Sequence, residues 1–343
     1  TRLQGRQIVI AAGSRAVLPP VPGIDSSKVY TNDNVMRLDE LPARMVVIGG
    51  GVIAAEFSHV FSAFGTEVTQ LNRSSRLLRG VDEEVVARFE EAASKQWNIV
   101  KDASLSEIRE NADGSVTVVA KHTTENGEEL LEIPADAVLV ATGRRPNTDT
   151  LNAKNYFDVQ DGGQLSVDKY QRVLYNGAPV PGVYALGDVS SRYQLKHVAN
   201  HEARVVQHNL SHPEDLRASD HRYVPAAVFS NPQIAVVGMT EEQARQAAER
   251  EGFEITVKAQ NFGDTAYGWA MEDKIGLCKL LARKDNGVLL GAHLVGEESS
   301  VLIQPLLQAM SFGMDARTLA RGQYWICFLY ISTSPRDRQR CHK

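Results

Sequence analysis

The run Met45-Val46-Val47-Ile48-Gly49-Gly50-Gly51-Val52-Ile53-Ala54-Ala55-Glu56-Phe57 decides the fold of this chain. Its first four residues form a short apolar strand, and Gly49 to Ala54 fit G-x-G-x-x-A. Gly49 permits a tight turn, Gly51 lets the backbone approach a pyrophosphate, and Ala54 is small enough for a helix to pack close to the strand. Val52, Ile53 and Ala54 then open a helix whose free N–H groups and positive dipole end suit phosphates. The motif alone is weak; its place between an apolar strand and an amphipathic helix gives it specificity. That helix is expected to set Ile53, Phe57, Val60, Phe61 and Phe64 on one face and to end at Gly65. A strand at Glu67–Leu71 and a helix from about Asp82 to Trp97 follow, the latter with Asp82, Glu83 and Glu84 complementing its dipole. Further strands are expected near 115–119 and 137–141. Strands alternating with helices imply a parallel sheet covered on both faces.

The end of the second strand selects the cofactor. An NAD site carries an acidic side chain there, bonded to the ribose 2′-OH. This chain has Asn72, then Arg73, with Arg76 and Arg79 close by. Guanidinium groups without a carboxylate suit a 2′-phosphate, so NADPH is the expected nucleotide. A plain solvated loop face is the competing reading of the same arginines. Two later strand ends carry similar weight. Ala141-Thr142-Gly143 closes the sheet, and Gly182-Val183-Tyr184-Ala185-Leu186-Gly187-Asp188 ends in a glycine that admits close backbone approach. Asp188 can accept from a ribityl hydroxyl, or simply cap the next segment.

The bulk properties exclude several classes. With 343 residues, 43% hydrophobic and 23% charged, the chain has the composition of an ordinary globular protein of two or three domains. A net charge of -5 and the lack of a dense Lys/Arg block argue against nucleic acid. No apolar run approaches the ~18 residues that cross a bilayer, and no signal peptide is visible. Three scattered cysteines (Cys278, Cys327, Cys341) make neither a disulfide framework nor a metal site. A reducing cytoplasm is the expected compartment.

Four features, in this order and spacing, resemble the pyridine nucleotide-disulfide oxidoreductase family: Ala11-Ala12-Gly13-Ser14, the Gly49 to Glu56 run, Ala141-Thr142-Gly143-Arg144, and Gly182 to Asp188. The resemblance covers nearly all of residues 7–326. It implies an α/β fold in which a Rossmann-type NAD(P) domain is inserted in a split FAD domain and followed by an α+β dimerisation domain. The expected divisions are 1–22 for the tail of the first FAD half, 23–143 for the NADPH domain, 144–220 for the second FAD half, 221–326 for the interface domain and 327–343 for an aberrant tail. Further stretches, 195–204, 266–273 and 320–326, are similar to the branch that reduces a low-molecular-weight thiol disulfide.

By the same resemblance, Arg73 and Arg79 would grip the 2′-phosphate, Glu56 would lie near the nicotinamide and the flavin ring, and Ala12, Gly13, Ser14, Gly143, Arg144, Gly187, Asp188 and the run Gln194, Leu195, Lys196, His197 would serve FAD. The expected partners are a small disulfide and a second copy of the chain. The family's first flavin motif, its Cys-x4-Cys pair and its C-terminal His-Pro and Glu do not occur here, so the chain reads as a fragment, inactive alone, of an NADPH:disulfide oxidoreductase. Its rivals are an NAD-preferring dihydrolipoyl dehydrogenase-like enzyme, against which Asn72-Arg73 counts, and a non-catalytic NADPH-binding or dimerisation module.

Cys278 lies in an apolar strand and is expected to be a small core residue. His197 and His201, at i and i+4, lack a third metal ligand and fit a helix that faces the flavin. His59 and His208 are expected on helix surfaces, and Trp269 and Tyr324 at an interface or in the core.

Overall fold

The computed structural model describes residues 4–323. Cys327, Cys341, Tyr324 and the tail from 327 lie outside the described residues. The chain divides into two compact units, one built from residues up to 17 and 143–221, the other from 18–142 and 222 onward.

In the larger unit, five parallel strands lie in the order Val29–Tyr30, Ala137–Val140, Arg44–Ile48, Glu67–Leu71, Asn98–Val100. Met45, Val46 and Val47 are buried on both faces of the central strand, which is why that stretch is apolar without alternation. The helices Val52–Ala63 and Glu83–Ala93 follow their strands, and the Asp82 carboxylate caps the second by accepting from the Glu84 N–H. Both helices stop short of the sequence expectation by a turn or less.

The buried face of Val52–Ala63 differs from the expected one. Ala54, Ala55, Ser58 and Phe61 are buried, Ile53, Phe57 and Val60 are half-buried, and Phe64 is 71% exposed. The close approach that the glycine turn imposes admits only small side chains in the first turns of the helix, so Ile53 and Phe57 are turned to its flanks, while Phe61, further from the turn, is buried.

Residues 103–135 form an antiparallel meander, Ala103–Glu110, Val116–Thr124 and Gly127–Ala135, of which the sequence pattern suggested only the middle strand. From 226 a second sheet runs antiparallel in the order Ala226–Val228, Gln233–Gly238, Leu289–Gly296, Leu277–Arg283, Ile255–Asn261. Its helix Glu241–Glu251 starts in a capping box between Thr240 and Gln243 and ends at Gly252 in the left-handed region. Phe89 and Trp97 share one buried cluster with Val228, Ile234, Leu277 and Val295, so the helix after the Arg73–Arg79 loop packs directly on this second sheet.

The smaller unit holds a three-stranded sheet, Ile8–Ile10 parallel to Ala178–Ala185, which pairs antiparallel with Arg172–Tyr175. A two-stranded ribbon joins Ser14–Ala16 to Arg144–Pro146. The helix Lys196–Ser211 buries Val198, Glu202, Val205, Val206 and Asn209. No helix of the described residues is long and apolar enough to cross a membrane.

Candidate functional site

The glycine turn is held from two sides. Gly49 has φ +139°, and a Cβ there would stand 2.3 Å from the Ala141 carbonyl oxygen, so the neighbouring strand dictates this glycine. A Cβ on Gly50 would meet Asn72 Oδ1 at 2.4 Å, a constraint that the sequence reading missed. Gly51, the residue before the helix, has nothing within 4 Å of that position, which leaves space over the free N–H groups of Val52, Ile53 and Ala54. The Gly49 carbonyl accepts from Gln70 Nε2 at 2.9 Å, and Gln70 Oε1 accepts from the buried Trp97 indole at 3.0 Å.

Asn72 is buried, and its amide donates to the Ser74 and Arg76 carbonyls at 2.7 and 2.9 Å. It therefore folds the loop that follows it. Arg76 is spent in the same way, on the carbonyls of Arg79 (2.9 Å) and Val81 (3.1 Å). Arg73 and Arg79 are exposed, and neither guanidinium is hydrogen-bonded or ion-paired among the described residues. The loop thus presents two unneutralised cations on a fixed backbone. Glu56, one turn into the helix, is half-buried and accepts from the Phe229 N–H at 2.9 Å; burial pushes its carboxyl above the ordinary range.

In the smaller unit three backbone turns converge. Ser14 Oγ donates to Asp188 Oδ2 at 2.6 Å and accepts from Arg144 Nε at 2.8 Å, while Arg144 Nη2 holds the Ser14 carbonyl at 2.8 Å. Gly13 and Gly143 have φ of +67° and +141°, and the space where a Cβ would stand is open at both. The sequence motifs around Ala12-Gly13-Ser14, Gly143-Arg144 and Gly187-Asp188 are therefore one cluster in space. Gln194 has φ +50° and Leu195 is extended, so the chain turns sharply into the helix at Lys196 and His197, both exposed.

Glu202 was not singled out by the sequence. It is 1% exposed, accepts from the Gly187 N–H at 2.7 Å, and its other oxygen lies 3.0 Å from His221 Nε2. The available signal was its position on the buried stripe of Lys196–Ser211, where a carboxylate needs a partner. His201 is half-buried and accepts from the Asp220 N–H at 3.1 Å; burial first, then the neighbouring His221, keeps its ring below the usual histidine range. Among the described residues no group of three His, Cys, Asp or Glu is placed to hold a metal. Cys278 is a core residue, and burial pushes its thiol up to about 12. Trp269 is 77% exposed.

Residues 1–203 match the pyridine nucleotide-disulphide oxidoreductase family, and residues 224–326 match its dimerisation domain. The chain belongs to this family. It is 50% identical over 325 residues to mycothione reductase of Mycobacterium tuberculosis, an alignment that spans 93% of this chain and 67% of the relative. Dihydrolipoyl dehydrogenase of Synechocystis sp. is 33% identical over 319 residues, with the same 93% and 67% shares. Among solved structures, the HOCl-induced flavoprotein disulfide reductase RclA from Escherichia coli superposes with a TM-score of 0.81 at 29% identity, over 94% of this chain and 71% of that one. The pyridine nucleotide-disulphide oxidoreductases are flavoenzymes, and their cofactors here are FAD and NADPH. The residues present fit the nucleotide: the turn at Gly51 is open above a helix N-terminus, and two free guanidinium groups stand beside it in sequence and sheet order.

Proposed function

We propose that the chain is part of an NADPH-dependent FAD disulfide reductase of the mycothione reductase type, which reduces the disulfide of a low-molecular-weight thiol, mycothione, to mycothiol. The observation that carries this reading is the 50% identity across 93% of the chain, together with a carboxylate-free loop that offers Arg73 and Arg79. In this reading Gly49, Gly51, Val52, Ile53 and Ala54 bind the pyrophosphate, with main-chain N–H groups as donors. Arg73 and Arg79 grip the 2′-phosphate from a loop that Asn72 shapes. Glu56 stands beside the nicotinamide and the flavin ring. Ala12, Gly13, Ser14, Gly143, Arg144, Gly187, Asp188 and the run Gln194–His197 orient the flavin, and Glu202 braces Gly187 from behind.

FAD supplies the two-electron relay between the nicotinamide and a disulfide. Cys278 takes no part, since its buried thiol has no accessible thiolate to offer. The chain alone is expected to bind nucleotide and not to turn over. We assign residues 23–143 to the NADPH domain, 1–22 and 144–220 to the flavin domain, and 221–326 to a homodimer contact. The compartment of the proposal is the cytoplasm.

Calorimetric titration of the 343-residue chain with NADPH and NADH tests the nucleotide assignment. Replacing both Arg73→Ala and Arg79→Ala should weaken NADPH by roughly 10- to 100-fold, the worth of one or two charge-assisted hydrogen bonds, and leave NADH unchanged. Equal affinities for the two nucleotides in the unaltered chain would return the reading to the dihydrolipoyl type. Steady-state reduction of mycothione against glutathione disulfide and lipoamide by the full-length enzyme decides the substrate.

A further inference from the structure

Lys279 is an ammonium with its side chain 5% exposed, in the strand Leu277–Arg283 of the dimerisation-domain sheet. Its Nζ lies 2.9 Å from Asp82 Oδ1, 2.7 Å from Glu241 Oε2 and 3.2 Å from Glu84 Oε2. Two of these carboxylates stand at the start of the helix Glu83–Ala93, and the third in the first turn of Glu241–Glu251. Asp82 also accepts from the Glu84 N–H at 3.2 Å and the Glu241 N–H at 3.1 Å, so one carboxylate caps two helices and pairs with one buried lysine. Such a knot costs desolvation and is retained where it fixes an arrangement.

What it fixes lies just upstream. Arg79 is three residues before Asp82, and the loop 73–81 is anchored by Asn72 at its start, by Leu77 and Leu78, which pack in the core and whose N–H groups donate to Glu90 (2.9 Å) and the Gly50 carbonyl (2.7 Å), and by Asp82 at its end. Leu78 has φ +44°, a conformation that a branched residue holds only when its surroundings enforce it. Leu77 and Leu78 share a buried cluster with Val228, Ile234, Leu277 and Val295 of the dimerisation domain, and Asp82 is the anchor that is ion-paired with it, through Lys279. We infer that Lys279 is a positioning residue for nucleotide choice: through Asp82 the dimerisation domain holds the loop that presents Arg79 and Arg73 to the 2′-phosphate. The inference rests on the 2′-phosphate reading of these two arginines.

The test is calorimetric binding of NADPH and of NADH to the full 343-residue chain and its variants. Lys279→Met should lower NADPH affinity by roughly 3- to 30-fold, the span of coupling through a packed network, while NADH affinity holds. Because this substitution strands three carboxylates, a second variant combines Lys279→Met with Asp82→Asn. Removing the lysine with one negative charge lessens the repulsion, and the amide oxygen left at position 82 can still accept from one of the two helix N–H groups that the Asp82 oxygens serve separately. It should show the same selective loss of NADPH, and Lys279→Arg should restore much of the preference. Parallel loss of both nucleotides, or an unchanged ratio in the double variant, overturns the inference. The Arg73→Ala, Arg79→Ala pair separates the two claims. If that pair leaves the ratio unchanged, the 2′-phosphate reading fails and the inference with it. If the pair lowers the ratio and the Lys279 variants do not, the inference alone fails.

Discussion

Gly50 and Gly51 are adjacent in the turn and are required for different reasons. A Cβ on Gly50 would collide with Asn72 Oδ1, and the Asn72 amide is locked by its bonds to Ser74 and Arg76. Gly50→Ala should therefore cost about 1–3 kcal/mol of stability, the usual penalty for overpacking. Gly51→Ala meets nothing within 4 Å and should leave the melting temperature in place while weakening nucleotide binding. Paired melting curves and NADPH titrations check this; an equal loss of stability in both variants would refute the division. The motif residues were legible because the need for glycine is local. The role of Asn72 was not, because its partners are main-chain carbonyls of a loop with no pattern of its own. Glu202 was hidden for a similar reason: it bonds the main chain of Gly187 and approaches a histidine 19 residues further on.

Among the elements, the helices were readable and one sheet was not. Asp82 and Thr240 announce helix starts through their side chains, and Gly252 announces a stop. The strand Gly127–Ala135 alternates only in its second half, where Leu131, Ile133 and Ala135 turn inward; its first four residues are all exposed, and it exists because Val116–Thr124 pairs with it along its whole length. The large apolar side chains of Val52–Ala63 suggested a face that is only partly the buried one: Phe61 is buried as expected, but Ala54, Ala55 and Ser58 take the places nearest the turn. The capping element has a pH signature. Burial works against ionisation of Asp82, but the Lys279 and Glu241 hydrogen bonds outweigh it, and Lys279 holds Glu241 low as well. A carboxylate depressed in the folded state stabilises fully above its unfolded pKa, about 3.9 for Asp and 4.3 for Glu, and that stabilisation is lost as pH falls through the folded value. Asp82→Asn should cost about 2–3 kcal/mol at neutral pH, somewhat under the penalty for breaking a buried pair because two carboxylates remain for Lys279. The gap should close as urea unfolding is repeated at steps from pH 5 down to pH 2. A gap that stays constant across that range would show that the carboxylate charge contributes nothing.

At the scale of the molecule, the segment from 222 onward leaves large apolar side chains in solvent: Phe312 is 84% exposed and Trp269 77%. The segment matches the dimerisation domain, which makes Phe312 the residue to test for a contact with a second copy of the chain. Phe312→Lys should shift the chain toward monomer in sedimentation velocity at micromolar concentration, with an unchanged melting profile at high dilution. A sedimentation coefficient that does not move would place the contact elsewhere. Fold class and family were legible at this scale from four short motifs, because each marks a point where backbone must approach a ligand or another strand. The joint packing of 18–142 with 222 onward was not legible, since it depends on residues such as Lys279 and Phe89 that look like ordinary members of their own elements.

The relay from Trp97 through Gln70 to the Gly49 carbonyl has an optical consequence. The Trp97 indole is sealed from water and joined by two hydrogen bonds to the glycine turn proposed for the pyrophosphate, whereas the Trp269 indole stands in solvent. The indoles of Trp97 and Trp269 therefore emit at different wavelengths, and Trp97 is a built-in reporter of whatever occupies the turn.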